Sequence, residues 1–444
     1  MPGRWYTMVL ASLLAGSIGL STNQTSARTH AHPEKPVTVT VGPEDADFVG
    51  TDQDTIQKAI DQVAAAGGGI VLLKTGTYTL ENSVRLASHV TLAGEGPERT
   101  VVRKAPGAKS QLKIDADYGE SQATVEAPEG FRPGMGVMVV DQRHRSAWYP
   151  SLRTIVRIAG PVLYFDRILH LDYLVENAGL VATTFPLISG SEIEDAEVRD
   201  LTADGNRSQS EPLDGCQTAA IYFYHSKRFR VRNCQARHYA GDGISAQFVE
   251  DPLIENCEAY GNAYYGIHLG TGALGATVRH NRAHHNDQVG LFLCWRVQNG
   301  RFTHNQLWGN GEYGISLGHK DTDNTFGNNN ISGNGHAGIY FRNDTPANAA
   351  NRNTFVENTI EDNGGPVGGA AVRIEGATQH LVFRGNTLRE TRPPERATQT
   401  VGIYLGPQTD SIVVERNIFG GYLKQAIADE SQGEHNQLQE VALK

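Results

Sequence analysis

The chain has 444 residues, 49 of them glycine, a formal net charge of −10 and a pI near 5.9. That balance argues against a general nucleic-acid binder, and mildly against a polyanionic ligand unless a local basic groove overrides the global sign. The four cysteines, Cys216, Cys234, Cys257 and Cys294, include no C-x-x-C pair of the metal-binding kind.

Residues 1–27 read as an export signal. Arg4 supplies the positive start, Met8 to Leu20 is apolar or small, and Thr25-Ser26-Ala27 offers a cleavage site. The apolar run is too short to span a bilayer comfortably, so the expected location is secreted or periplasmic, with no stable membrane insertion. Residues 28–50 form a polar lead. In residues 51–103, Ile56, Ala59, Ile60, Val63 and Ala64 have helical spacing, with Asp54 as N-cap and Gly67 as stop. Strand-like runs follow at Ile70–Leu73 and Ser88–Leu92. A helix before strands suits a cap over the open end of a stacked fold.

Residues 104–188 break any period and read as an inserted β-rich segment. Its loop from Asp141 to Arg153, with His144, Trp148 and Tyr149, could arch over a groove or pack as an ordinary insertion.

From residue 189 to 431 the chain repeats. Segments beginning at Ala220, Gly243, Gly266, Gly290, Gly314 and Gly338 recur at steps of 23 or 24 residues. One column runs Cys234, Cys257, Asn281, Asn305, Asn329; another runs Asn262, Asn286, Asn310, Asn334. Such a period means a solenoid, propeller or array, and the short alternating runs GISL and GIYF select a β-solenoid of one coil per repeat. Coils about 4.8 Å apart put identical residues above one another, so the Asn columns read as amide ladders that hold turns. Cys234 and Cys257 stack one coil apart, which favours buried thiols over a disulfide. Residues 432–444 form a tail.

This repeat resembles the right-handed parallel β-helix proteins of the pectate-lyase-like superfamily, from about Gly50 onward. The resemblance implies an all-β, single-stranded right-handed parallel β-helix with an N-terminal capping helix. It is specific for fold and weakly specific for function. The string Arg-x-Pro-x-x-Arg of pectate lyases and the adjacent Asp-Asp of polygalacturonases are both missing.

Alternation makes one outward face readable. Counting the glycine as zero, position two carries Tyr222, Ser245, His268, Phe292, Ser316 and Tyr340. Position four carries Tyr224, Gln247, Gly270, Cys294, Gly318 and Arg342, and the turn adds Trp295, Arg296, His319 and Lys320. Aromatic faces among hydrogen-bonding side chains suit sugar rings. The expected catalytic set is His319, Lys320, Arg342, Asp242 and His268, and the expected substrate contacts are Tyr222, Tyr224, Gln247, Phe292, Trp295, Arg296 and Tyr340. Asp321 and Asp323 offer oxygen ligands for a Ca²⁺ ion, though no cofactor is demanded.

A glycoside hydrolase needs two carboxylates ~5–5.5 or ~6.5–9.5 Å apart. Asp242 and Asp321 lie three coils apart, about 14 Å. A uronate lyase or C5-epimerase needs a cation to neutralise the carboxylate, a base for the C5 proton and an acid. The His, Lys and Arg side chains on neighbouring coils supply those types, and some β-helix polysaccharide lyases use a similar Lys and Arg on adjacent coils. The expected function is therefore an exported lyase or C5-epimerase acting on a uronic-acid glycan. The alternatives are a β-helix glycoside hydrolase and a non-catalytic carbohydrate-binding or surface-attachment protein. The expected partner is a polysaccharide, and no feature of the sequence sets an oligomeric state.

Overall fold

The computed structural model describes residues 37–365 and 369–439. The expected export signal, residues 28–36 of the polar lead and the end of the tail lie outside the described residues. Each full coil contributes three short strands, such as Thr277–Arg279, Arg282–His284 and Val289–Cys294. Stacked, they form three parallel sheets of 14, 11 and 11 strands. Their register is set by apolar residues at alternate places, with Ile244, Ile267 and Leu291 directly above one another. One coil further, Leu291 pairs with Ile315 and then Ile339. Inside, Phe302, Phe326, Phe355 and Phe383 stack ring on ring at 4.6–4.9 Å.

Two corners are held by Asn. At the first, Nδ2 of Asn281 donates to Oδ1 of Asn305, and Asn305 to Asn329, each at 3.0 Å. The ladder continues through Asn358, Asn386 and Asn417. Each amide also donates to a carbonyl of the coil below and accepts a backbone N–H, so its hydrogen-bonding capacity is filled. The second corner repeats this through Asn262, Asn286, Asn310, Asn334 and Asn363, ending on Gln399. Residues just before the first ladder, including His280 and His304, adopt positive φ of 56° and 57°, which bends the strand into the corner. Cys234 and Cys257 fill the same corner lower down, free and buried, each thiol donating to a backbone carbonyl.

Two details differ from the sequence reading. The helix spans Gln53–Ala65 and its N-cap is Asp52, not Asp54. Asp52 accepts from the Thr55 N–H at 2.9 Å, satisfying a donor that the helix leaves free, whereas Asp54 lies in the first turn. The coils also begin well before residue 189. Gly69–Leu73, Gly76–Leu80 and Val84–Arg85 already form one coil, and Val90–Ala93 and Thr100–Lys104 start the next. That second coil closes only at Ile188–Ser191, which pairs with Val84–Arg85 on one side and Ala219–Tyr224 on the other. The insertion hid the period by separating two strands of a single coil. It folds as a six-stranded antiparallel sheet between Lys109 and Ala182, with its own apolar core around Val137, Val139, Ile155 and Tyr173.

Candidate active site on the walled face

The third sheet, which holds the GIxL strands, is flanked by insertions at both edges. At one edge the chain leaves the stack between Lys104 and Ile188, between Asp204 and Ala219, and between Glu390 and Gln399. At the other it leaves between Phe341 and Thr354. Insertions confined to the borders of one face are a common mark of a binding face in solenoids.

These walls divide the face. The half nearer the N-terminus is covered. Segment 205–218 lies across it, tied to the inserted segment by Ala147 N–H to Asp214 Oδ2 at 2.6 Å and by Gln217 Nε2 to Pro150 O at 2.9 Å. Trp148 packs on Tyr224 and Phe248 with centroids 5.7 and 5.8 Å away. Tyr222 is buried, its hydroxyl donating to Cys216 O, and Tyr224 is half-buried. Gln247 donates through Nε2 to Gly215 O at 3.2 Å and Ser245 Oγ at 3.1 Å.

Beneath the same segment sits an ion pair. Asp242 Oδ2 stands 2.7 Å from His268 Nδ1, with His268 only 1% exposed. Burial disfavours the imidazolium, but the Asp242 bond and Cys294 beside the ring override it and raise His268 to about 10. Burial raises the Asp242 carboxyl, against the opposing pull of His268. Gly215 is required here, because any Cβ would overlap the Asp242 carboxylate. Asp242 and His268 point outward from the sheet as their register requires, yet in this conformation they are sealed from a polysaccharide.

The other half is open. Phe292 stacks on Tyr265 at 4.1 Å, and the Arg342 guanidinium lies 4.8 Å from the Phe292 centroid. Trp295 stacks on His319 at 4.8 Å and remains 47% exposed. Tyr340 stacks on Tyr313 at 4.5 Å and donates its hydroxyl to Glu375 at 3.0 Å. Burial and Glu375 raise its pKa, so it stays a neutral phenol. Arg296 and Lys320 follow Trp295 and His319 on adjacent coils, exposed, both with φ of 65°. Among the described residues neither forms an ion pair, whereas neighbouring Arg342 and Arg352 do.

His319 is restrained. Its Nε2 is 3.3 Å from Asp344 Oδ1, and its Nδ1 is buried without a hydrogen-bond partner. Burial and Arg342 lower its pKa against the pull of Asp344, leaving a neutral imidazole near neutral pH.

The expected Asp321–Asp323 cation site is not assembled. Asp321 is wholly buried, accepting from the N–H groups of Val297 and Gly318, and from Arg342 at 3.1 Å. Burial raises its carboxyl to about 6 despite Arg342. Asp323 pairs outward with Arg352 at 2.7 Å. Asp321 serves the turn and Asp323 the surface, so the two carboxylates do not converge on one ion. Two further carboxylates of the open half are engaged: Asp344 by the His319 N–H at 2.7 Å, and Glu375 by Tyr340 and Arg373.

Two groups escaped the sequence reading. Tyr265 occupies the column of Asp242 one coil on, and its ring stands perpendicular to His268 at 5.3 Å. A signal was available, since both residues directly precede the repeat glycine. For the cleft under the inserted segment the sequence offered only the alternative that the Asp141–Arg153 loop arches over a groove; its walls, drawn from segments between Asn82 and Tyr224, carry no shared motif.

Two family models match. One, described as a right handed beta helix region, covers residues 219–388 and 292–439; the other, described as Rhamnogalacturonase A/epimerase, pectate lyase-like, covers 44–160. The mannuronan C5-epimerases AlgE1 and AlgE4 of Azotobacter vinelandii are each 24% identical over 234 residues, or 51% of this chain. The match spans 14% of the length of AlgE1 and 34% of AlgE4. Among solved structures, the A-module of Azotobacter vinelandii AlgE4 aligns with a TM-score of 0.58 at 20% identity, over 90% of this chain and all of that one. The Dettilon tailspike protein aligns with a TM-score of 0.57 at 13% identity, over 89% of this chain and 66% of that one. No helix among the described residues is long and apolar enough to cross a membrane. With three parallel sheets wound around one core, the chain is a right-handed parallel β-helix protein of the pectate-lyase-like superfamily.

Proposed function

We propose that this protein is an exported polysaccharide-active enzyme, secreted or periplasmic, that carries out a lyase or C5-epimerase reaction on a uronic-acid glycan. The observation that carries this reading is the pairing on the open half of the face: two cations without acidic partners among the described residues, Arg296 and Lys320, beside the Trp295–His319 stack. A cation that lacks a protein carboxylate is available to a sugar carboxylate, and neutralising that group lowers the cost of removing the C5 proton. The similarity to two mannuronan C5-epimerases supports the same class.

In this reading Arg296 or Lys320 neutralises the uronate. His319 is the base, once substrate has turned its ring away from Asp344. Phe292, Trp295 and Tyr340 present apolar surface to sugar rings. Tyr265, a phenol whose pKa burial and Asp242 raise, can supply a proton to the opposite face or leaving oxygen. A hydrolase is disfavoured because Asp242, Asp321, Asp344 and Glu375 are all held by protein partners, leaving no free pair on this face. The buried Nδ1 of His319 and the sealed Asp242–His268 pair favour a second reading, a carbohydrate-binding β-helix without turnover.

The test is a screen of uronate and neutral polysaccharides with wild type, His319→Ala, Lys320→Ala and Asp321→Ala. Ultraviolet absorbance of an unsaturated uronate marks a lyase, and solvent deuterium at C5 marks an epimerase. Either signal, abolished by His319→Ala, is expected. New reducing ends without unsaturation, lost in Asp321→Ala and kept in His319→Ala, would promote the hydrolase. Binding with no chemical change leaves the non-catalytic protein.

A further inference from the structure

A cleft of about 630 Å³ lies at the covered end of the face, between the first coils and the inserted sheet. Its charged and titratable lining is one-sided. Arg85, Arg153, Arg167 and His170 contribute to it, and no Asp or Glu does. In a chain of net charge −10 that is a local reversal of sign.

Arg85 and Arg153 are held without an ion pair among the described residues, and Arg167 has only an exposed one. Arg153 donates to three neutral acceptors, the carbonyls of Ile168 and Leu152 and the Ser151 hydroxyl, at 2.6–3.2 Å. Its Nη2 also lies 3.3 Å from His170 Nδ1. Arg167 donates through Nη2 to Leu152 O at 3.2 Å and meets the neighbouring Asp166 at 3.4 Å across an exposed edge. Arg85, on the strand Val84–Arg85, is exposed and forms no ion pair among the described residues. Burial and the adjacent Arg167 both lower the pKa of Arg153, as expected for like charges brought together. Burial together with Arg153 and Arg167 likewise lowers His170. Opposite them, the sheet offers Ser189, Ser191 and the edge of Tyr224, while Trp148 forms the outer wall.

We propose that this cleft is a second saccharide site, distinct from the open half of the face, that binds the anionic group of an acidic sugar against Arg85, Arg153 and Arg167. A pre-positioned guanidinium fork matches a carboxylate or sulfate, and an anion arriving there removes a repulsion already present in the free protein. The serine hydroxyls and the Trp148 and Tyr224 rings complete the chemistry of a sugar ring. The acidic sugar as ligand rests on the reading given under Proposed function; the anion site rests on the cleft alone.

Calorimetric titrations of wild type, Arg85→Ala, Arg167→Ala and Arg296→Ala with a galacturonate trisaccharide, a sulfated trisaccharide and a neutral glucose trisaccharide test it. Circular dichroism melts check that each variant folds. The His170 ring resonances, followed by NMR, report on the cleft directly. The expected result is that an anionic trisaccharide binds, moves the His170 resonances and weakens about five- to tenfold in each of Arg85→Ala and Arg167→Ala. The neutral trisaccharide leaves His170 unmoved, and preference between uronate and sulfate identifies the source of the anion. Unchanged anion affinity in both cleft variants, or equal binding of the neutral sugar, overturns the proposal. Failure of the enzyme reading is a different outcome, in which no uronate is turned over while anion binding in the cleft persists.

Discussion

The Asn corners and the walled face are built on the same coils and obey opposite rules. At the corners the same residue returns coil after coil, and every amide is consumed by its neighbours. On the face the register is equally strict, yet Tyr222, Ser245, His268, Phe292, Ser316 and Tyr340 succeed one another in one column. Where a stack needs only itself, repetition is the stable answer, since identical amides satisfy each other at no cost in variety. A column that changes at every step is not maintained by stacking, and its residues answer to something outside the coil.

The sharpest way to break the comparison is to place an apolar residue in a corner. Asn305→Leu removes both acceptor and donors from the middle of the ladder. It strands the Asn281 amide and backbone N–H, the Val278 carbonyl and part of Asn329. At about 1–3 kcal/mol for each buried group left unmet, the loss should be on the order of 4 kcal/mol or more. Urea unfolding would measure it. A loss below about 1 kcal/mol would mean that the ladder follows from stacking rather than securing it.

The next effect belongs to the covered half of the face. Asp242→Ala leaves His268 with its proton favoured by Cys294 alone and its ring sealed, at an expected cost of about 3 kcal/mol. The pH dependence gives an independent check. The folded-state pKa of His268, about 10, lies above its unfolded value of 6.5, so the stabilisation is fully present below pH 6.5 and is lost as pH rises through 10. Wild type should therefore lose stability between those values, and Asp242→Ala should show a flatter profile over that range.

A smaller effect tests the cover itself. Gly215→Ala places a methyl group into the Asp242 carboxylate, so the 205–218 segment must lift or shift. Overpacking of this kind costs about 1–3 kcal/mol. Cys216 on that segment and Cys294 on the face below are both half-buried free thiols. Their reaction with a thiol reagent should accelerate in the variant, and unchanged rates would show that the cover is not displaced.

How much of this was legible follows from the same contrast. The corners and the apolar register could be read directly, because each depends on residues at a fixed interval. The start of the stack could not, since the inserted sheet parts Thr100–Lys104 from Ile188–Ser191 within one coil. On the face, register assigned the correct side to Asp242, His268 and Gln247 but not their exposure. Burial there comes from Gly215 and the segment around it, which lie outside the repeat and have no periodic signal. The Asp321–Asp323 expectation failed for a related reason. Two residues apart in a tight turn, one carboxylate faces the backbone and the other faces Arg352, and composition alone cannot separate those fates.

The smallest expected effect on stability is the one that bears most on function. Arg296→Ala with Lys320→Ala changes two exposed side chains that touch no acidic partner among the described residues, so unfolding should stay within about 0.5 kcal/mol of wild type. Affinity for a uronate polymer should nevertheless fall by about thirtyfold, with roughly 1 kcal/mol from each lost cation, and its dependence on salt should weaken in parallel. Neutral glycans should bind the variant as they bind wild type. The two cations sit on consecutive coils next to Trp295 and His319, so their removal subtracts charge from the open half while leaving its aromatic surface in place. Equal loss of affinity for neutral and acidic glycans would assign recognition to the rings. Loss confined to acidic glycans assigns it to charge, and a column whose side chain changes from each coil to the next would then be explained by an extended acidic ligand.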